Sequence, residues 1–173
     1  MENIIIGKEI KELIEELDVS DSKYEEATKR YNSIAEYIKN SELSSYRPDI
    51  YLQGSFKLGT AIKPLTEDGY YDIDIVCNFT SLRREYQSQF SLKHNLGKIV
   101  KNYAKSKSMS NAPEESKRCW TLKYVDDNNF HIDILPSVPL HNKDDGYIAI
   151  TDKTKDNYYE VSTDWETSNP KGY

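Results

Sequence analysis

The chain has 173 residues, 37% apolar and 30% charged, with a formal net charge of −6. A chain of this length reads as one domain, able to bury roughly 70% of its unfolded surface without disulfide or metal staples. The acidic balance excludes a broad, sequence-independent duplex-binding surface, but not a local basic groove or a small anion delivered with a cation. Two cysteines, Cys77 and Cys119, stand at no metal-like spacing and are too few for a disulfide framework. They point to a reducing, cytoplasmic setting. Cys77, inside an apolar run, reads as a small buried hydrophobe. Met1 is followed by Glu2 and a run of only three isoleucines, so neither a signal peptide nor a membrane span is expected.

In chain order, residues 4–17 read as a helix, with Ile6, Ile10, Leu13, Ile14 and Leu17 at helical spacing. Residues 18–22 break it, and Ser20 or Asp21 suits the N-cap of a second helix running to about Asn40. Tyr24, Ala27, Tyr31, Ile34, Ala35 and Ile38 share one stripe of that helix. Any core-facing helix shows such a stripe, so it is assigned to the core rather than to a partner. Arg47-Pro48 closes the helical region, because proline disfavours helix in the residue before it. Residues 49–53 read as a short strand, Gly54-Ser55 as a turn, 56–62 as a short helix and 64–69 as a loop. Residues 71–79 form a strand of period two, with Asp72 and Asp74 on one face and Ile73 and Ile75 on the other.

Residues 82–105 read as mostly helical, with a break near Phe90-Ser91, and 106–115 as a polar loop. Residues 118–125 and 129–135 read as strands joined by Asp126-Asp127-Asn128, a hairpin signal. Pro136 and Pro139 are expected to end the second of these strands. Asp144-Asp145-Gly146 reads as a turn before a last short strand at 147–150. The mixture predicts an α+β fold, with helices packed on a small, mixed, mostly antiparallel sheet.

The chemistry concentrates in Gly54-Ser55, Asp72, Asp74 and Asp133. Side chains two apart on a strand share a face at roughly 6.5–7 Å, and a neighbouring strand lies about 5 Å away. Two carboxylates on one strand and a third beside them suit a pair of Mg²⁺ ions roughly 3.5–4 Å apart, the arrangement of phosphoryl and nucleotidyl displacement. Without a cation, three crowded acids repel one another and raise a pKa. Gly54 lets backbone approach a phosphate closely, and Ser55 adds a hydroxyl and an N–H at a helix start. Lys57 or Lys63 would add a cation. Taken singly, each piece is bland: Gly-Ser is a common turn, and an Asp-x-Asp strand is usually an exposed polar face. His131, on the face of Asp133, reads as structural rather than as a ligand. The combination is harder to obtain from sheet sterics, because apolar flanks imply half-buried acids and burying unpaired charge is costly.

QGSFKLGTAIKP, YDIDIV and HIDILPSVP resemble the nucleotidyltransferase core of the polymerase-beta-like superfamily. More closely, they resemble the bacterial cyclic GMP-AMP synthase-like and dinucleotide-cyclase-like enzymes, the CD-NTases. The resemblance covers roughly residues 20–140. It implies an N-terminal helical spine over 1–48, a catalytic core over 49–150, and a polar linker over 151–173 toward a C-terminal lobe that these residues do not contain. It further implies a metal-dependent enzyme, using two Mg²⁺ or alternatively Mn²⁺, that joins nucleoside triphosphates such as ATP and GTP into a cyclic di- or trinucleotide. Pyrophosphate leaves, and the product activates a downstream effector of anti-phage defence. On this resemblance Asp72, Asp74 and Asp133 are the catalytic, metal-binding acids, and Gln53, Gly54, Ser55 and Lys57 contact nucleotide. Neither membrane nor duplex DNA is an expected partner. Two other readings of the same core are nucleotide transfer to RNA or to a protein hydroxyl, and a non-catalytic nucleotide-binding regulatory module.

Overall fold

A computed structural model describes residues 18–64, 66, 69–125, 129–140 and 146–172. The expected helix at 4–17, the hairpin turn at 126–128 and residues 144–145 of the last turn lie outside the described residues. The elements are α1 (Asp21–Lys39), a 3-10 turn (Glu42–Tyr46), β1 (Pro48–Gln53), α2 (Gly54–Leu58), β2 (Tyr71–Phe79), a second 3-10 turn (Arg84–Tyr86), α3 (Gln89–Ser106), β3 (Glu114–Glu115), β4 (Trp120–Tyr124), β5 (Phe130–Pro139), β6 (Ile148–Ile150) and β7 (Glu166–Ser168). The strands join in one seven-stranded sheet of order β1-β2-β5-β4-β3, with β6 on β5 and β7 on β6. Only β2 and β5 pair in parallel among these strands. A parallel pair needs a long crossover, and α3 with β3 and β4 supplies it. The architecture is the α+β, mostly antiparallel one that the sequence predicts.

Strand alternation decides where the core sits. Ile73, Ile75, Cys77 and Phe79 of β2 and Ile132 and Ile134 of β5 are buried in one cluster with Ile34, Ala35 and Ile38 of α1 and Leu92, Leu96, Val100 and Tyr103 of α3. Each such large apolar side chain contributes about 1.5–3 kcal/mol on burial. The predicted α1 stripe and the buried Cys77 are therefore core, as expected. Val76, Leu135, Ile148 and Ile150 form a second, smaller cluster with Tyr51 and Cys119 against it. These residues alternate with the main-core positions, so they lie on the opposite sheet face.

Four boundaries differ from expectation. The Gly54-Ser55 turn is itself the start of α2, which ends at Leu58 because Gly59 takes a left-handed φ of 67°. The helical break falls at 87–88 rather than at Phe90-Ser91. Ser88 caps α3, its hydroxyl accepting from the Ser91 N–H at 3.1 Å, which puts Phe90 and Ser91 in the first turn. Pro136 and Pro139 do not end β5. Pro136 falls between the last residue paired with β4, Ile134, and the first paired with β6, Ser137, and on its other side β5 stays in register with β2 through Cys77 and Pro136. Pro139 is the final residue of β5. Lastly, the polar stretch after Thr151 carries β7 and buries Asp152, Tyr158 and Trp165.

Helix α3 seats β4 closely. A Cβ added at Gly97 would lie 2.2 Å from the Trp120 ring. The Trp120 indole N–H donates to the Lys93 carbonyl at 2.8 Å. The Lys93 ammonium is fully buried and donates to the carbonyls of Ser116 and Lys117 at 2.6 and 2.9 Å. Both contacts tie the approach to β4 onto the helix.

Candidate active site

The parallel register brings the three predicted acids together. Asp74 of β2 lies opposite Asp133 of β5, and Asp72 lies opposite His131. Because Ile73 and Ile132 fill the main core with α1 and α3, all four of these side chains leave the sheet on the face away from those two helices. Asp74 and Asp133 are half-buried, and Asp72 is exposed. Burial, then Asp133, then Asp72 push the Asp74 carboxyl up to about 6. Asp72 is raised as well, by desolvation first, with His131 opposing and Asp133 adding.

Helix α2 closes the other side. Gln53, the last residue of β1, lies opposite Asp74. Gly54 follows with a φ of +68°, and a Cβ there would lie 2.2 Å from Asp74 Oδ2. Two causes thus require glycine: a left-handed backbone and the carboxylate against it. Gln53, Gly54, Lys57, Leu58 and Asp74 line a cavity of about 270 Å³ with Ser168 and Pro170. Ser55, Thr60, Lys63, Tyr70 and Asp72 line an adjoining recess of about 240 Å³. Both predicted cations are therefore at the site, Lys57 on the Asp74 side and Lys63 on the Asp72 side. The Lys57 ammonium donates to the Pro170 carbonyl at 3.0 Å. A separate recess of about 510 Å³ between α1, α3 and β4 holds none of the predicted site residues.

Several residues join the site that sequence reasoning did not name. Thr121 of β4 lies opposite Asp133, and its hydroxyl donates to Asp133 Oδ1. Counting outward from the hairpin turn would have found it. The Tyr70 and His131 rings stack at 3.8 Å, and His131 Nδ1 is 3.6 Å from Asp72 Oδ1. His131 thus flanks the acids. Ser168 and Pro170 come from a polar tail with no periodicity to announce it.

The three acids on this face, Asp72, Asp74 and Asp133, supply only oxygen donors. Among the described residues, no three His, Cys, Asp or Glu side chains close around one metal position. Mg²⁺ keeps several waters and takes only one or two carboxylates, with substrate phosphates completing its shell.

Against known proteins, residues 5–173 match the Second Messenger Oligonucleotide or Dinucleotide Synthetase domain, SMODS. No curated protein sequence matches. Among solved structures, the fold is similar to Escherichia coli DncV bound to 3′-deoxy GTP, with a TM-score of 0.66 at 16% identity over 92% of this chain and 56% of that one. It is also similar to the CD-NTase CdnG of Bradyrhizobium diazoefficiens in complex with GTP, with a TM-score of 0.64 at 18% identity over 91% of this chain and 41% of that one. The Rhodothermus marinus CdnE c-UMP-AMP synthase, with Apcpp and Upnpp, gives 0.56 at 16% identity over 88% and 57%. The chain spans about half the length of these structures. At such identities they speak to fold alone, while the domain match covers nearly the whole chain. The chain belongs to the SMODS family of nucleotidyltransferases, the CD-NTases.

Proposed function

We propose that this chain is the catalytic half of a metal-dependent enzyme that joins nucleoside triphosphates, ATP and GTP first among them, into a cyclic di- or trinucleotide. The observation that carries the reading is the row Gln53, Asp74, Asp133 across β1, β2 and β5, with Gly54 backbone against the Asp74 carboxylate. Asp72, Asp74 and Asp133 would hold two Mg²⁺. When bound, such ions activate an attacking hydroxyl and offset the charge of a triphosphate and its leaving pyrophosphate. The raised Asp74 carboxyl supports this assignment, because a carboxylate disfavoured first by burial and then by Asp133 and Asp72 gains from a cation beside it.

The chain's own groups divide the remaining work. Gly54 admits a phosphate to the backbone, Ser55 offers its hydroxyl, and Gln53 and Lys57 line the wall beside them. Asp133 would be the metal ligand or base nearest the acceptor hydroxyl, whose proton leaves to it or to solvent. A bond forms between that oxygen and the α-phosphorus, the α–β bridging bond breaks, and pyrophosphate leaves. The product would act as a second messenger for an effector of bacterial anti-phage defence. In this reading residues 1–48 form a helical spine, 49–150 the catalytic core, and 151–173 lead toward a second lobe. No described helix is long and apolar enough to cross a membrane; action in the cytoplasm is part of the proposal.

The test is product analysis by mass spectrometry, on a version carrying the second lobe, with ATP, GTP and Mg²⁺. A cyclic product and released pyrophosphate, both lost in Asp74→Asn, are expected. Extension of an RNA primer without cyclic product would instead favour transfer to RNA. Saturable nucleotide binding with no pyrophosphate would favour a regulatory module.

A further inference from the structure

Asp133 does not stand alone on its strand. Thr121 faces it directly across the β4–β5 ladder, and the Thr121 hydroxyl donates to Asp133 Oδ1. A hydroxyl bonded to an ionised carboxylate is short and about twice as strong as a neutral pair. The χ2 torsion of an aspartate is broad by itself, so the carboxylate plane is otherwise poorly fixed. Thr121 fixes it from a rigid base. Its β-branched side chain has few χ1 choices. The strand beneath it is tied to α3 through Trp120 and the buried Lys93. A carboxylate offers about four lone-pair sites on two oxygens, so a donor on Oδ1 leaves Oδ2 for other work.

We infer that Thr121 is a positioning residue of this site: by holding Asp133 Oδ1 it fixes the carboxylate plane and reserves Oδ2 for a divalent cation. The inference rests on the reading of Asp133 as a metal-binding acid. In this role Thr121 acts through Asp133. A hydroxyl serving strand stability alone would leave metal affinity unchanged when replaced by a methyl of the same shape.

The experiment is titration of the full chain with Mn²⁺ alone, read by the loss of the free-ion electron paramagnetic resonance signal. It is paired with the Mn²⁺-induced shift of each variant's own thermal midpoint. The variants are Thr121→Val, which keeps the branched shape, Thr121→Ser, which keeps the hydroxyl, and Asp133→Asn. Outer partners of metal ligands commonly contribute about 10-fold or more in affinity. Binding about 10-fold weaker in Thr121→Val, a smaller midpoint shift, and recovery in Thr121→Ser are expected. Wild-type binding in Thr121→Val with loss in Asp133→Asn would overturn the inference and leave the acid assignment standing. Binding in Thr121→Ser as weak as in Thr121→Val would also overturn it. Equal binding by wild type and Asp133→Asn, or none by either, would overturn the acid assignment and the inference with it.

Discussion

At the scale of single residues, the site is built from groups whose cost to the fold can be measured. Asp74 carries a carboxyl raised from 3.8 to about 6 by burial and by its acidic neighbours. Below its unfolded pKa it is protonated in both states and costs nothing. As pH rises from about 4 to about 6, the unfolded chain ionises while the folded chain holds its proton, so stability falls. Above that window the full cost persists. Asp74→Asn is therefore expected to raise the thermal midpoint of the metal-free chain at pH 8, with the gain shrinking toward zero at pH 4. Thermal unfolding in EDTA at both values checks this, and a gain independent of pH would contradict it. The placement of these acids on one face was legible in the sequence because the first halves of β2 and β5 alternate: Asp72, Asp74 and Asp133 each sit between buried isoleucines or beside one. The second cause for glycine at 54 was not legible. It is a contact with a carboxylate 20 residues away, and local chemistry alone reads Gly54-Ser55 as a turn.

At the scale of elements, long-range pairing supplied what propensity could not. The parallel register aligns Ile73-Asp74-Ile75 with Ile132-Asp133-Ile134. The near-identity of the two segments hinted at this, but nothing local says that strands so far apart in sequence are neighbours. The extent of β5 escaped for a related reason. Proline stops a strand only where its missing N–H would have served a partner, and Pro136 sits at a change of partners. Helix α3 illustrates packing overriding propensity. Glycine in a helix interior costs about 1 kcal/mol relative to alanine, yet Gly97 is needed because Trp120 occupies the space of a Cβ. Gly97→Ala should lose stability despite its better helix propensity, by about 1–3 kcal/mol as an overpacked core contact. Urea unfolding measures this directly, and a midpoint at or above wild type would show that Trp120 moves aside freely. β7 had no signature at all, since Glu166–Ser168 is three polar residues long and owes its strand to β6.

At the scale of the molecule, the fold places the three acids and the main core on opposite sides of one sheet. The helices α1 and α3 fill one side, and the acids occupy the other beside α2 and the C-terminal strand. Under the proposed function, this division would let an acidic chain serve an acidic substrate: its carboxylates gather where cations could join them, and α2 presents backbone and Lys57 alongside. The central claim is that these residues form a metal-dependent nucleoside triphosphate site, and it is testable without turnover. The measurement is a calorimetric titration of this chain with ATP and GTP, with and without Mg²⁺, beside Asp74→Asn. The account predicts saturable binding that requires Mg²⁺ and is lost in the variant. Binding that is indifferent to both the metal and Asp74, or no binding at millimolar nucleotide, would contradict it.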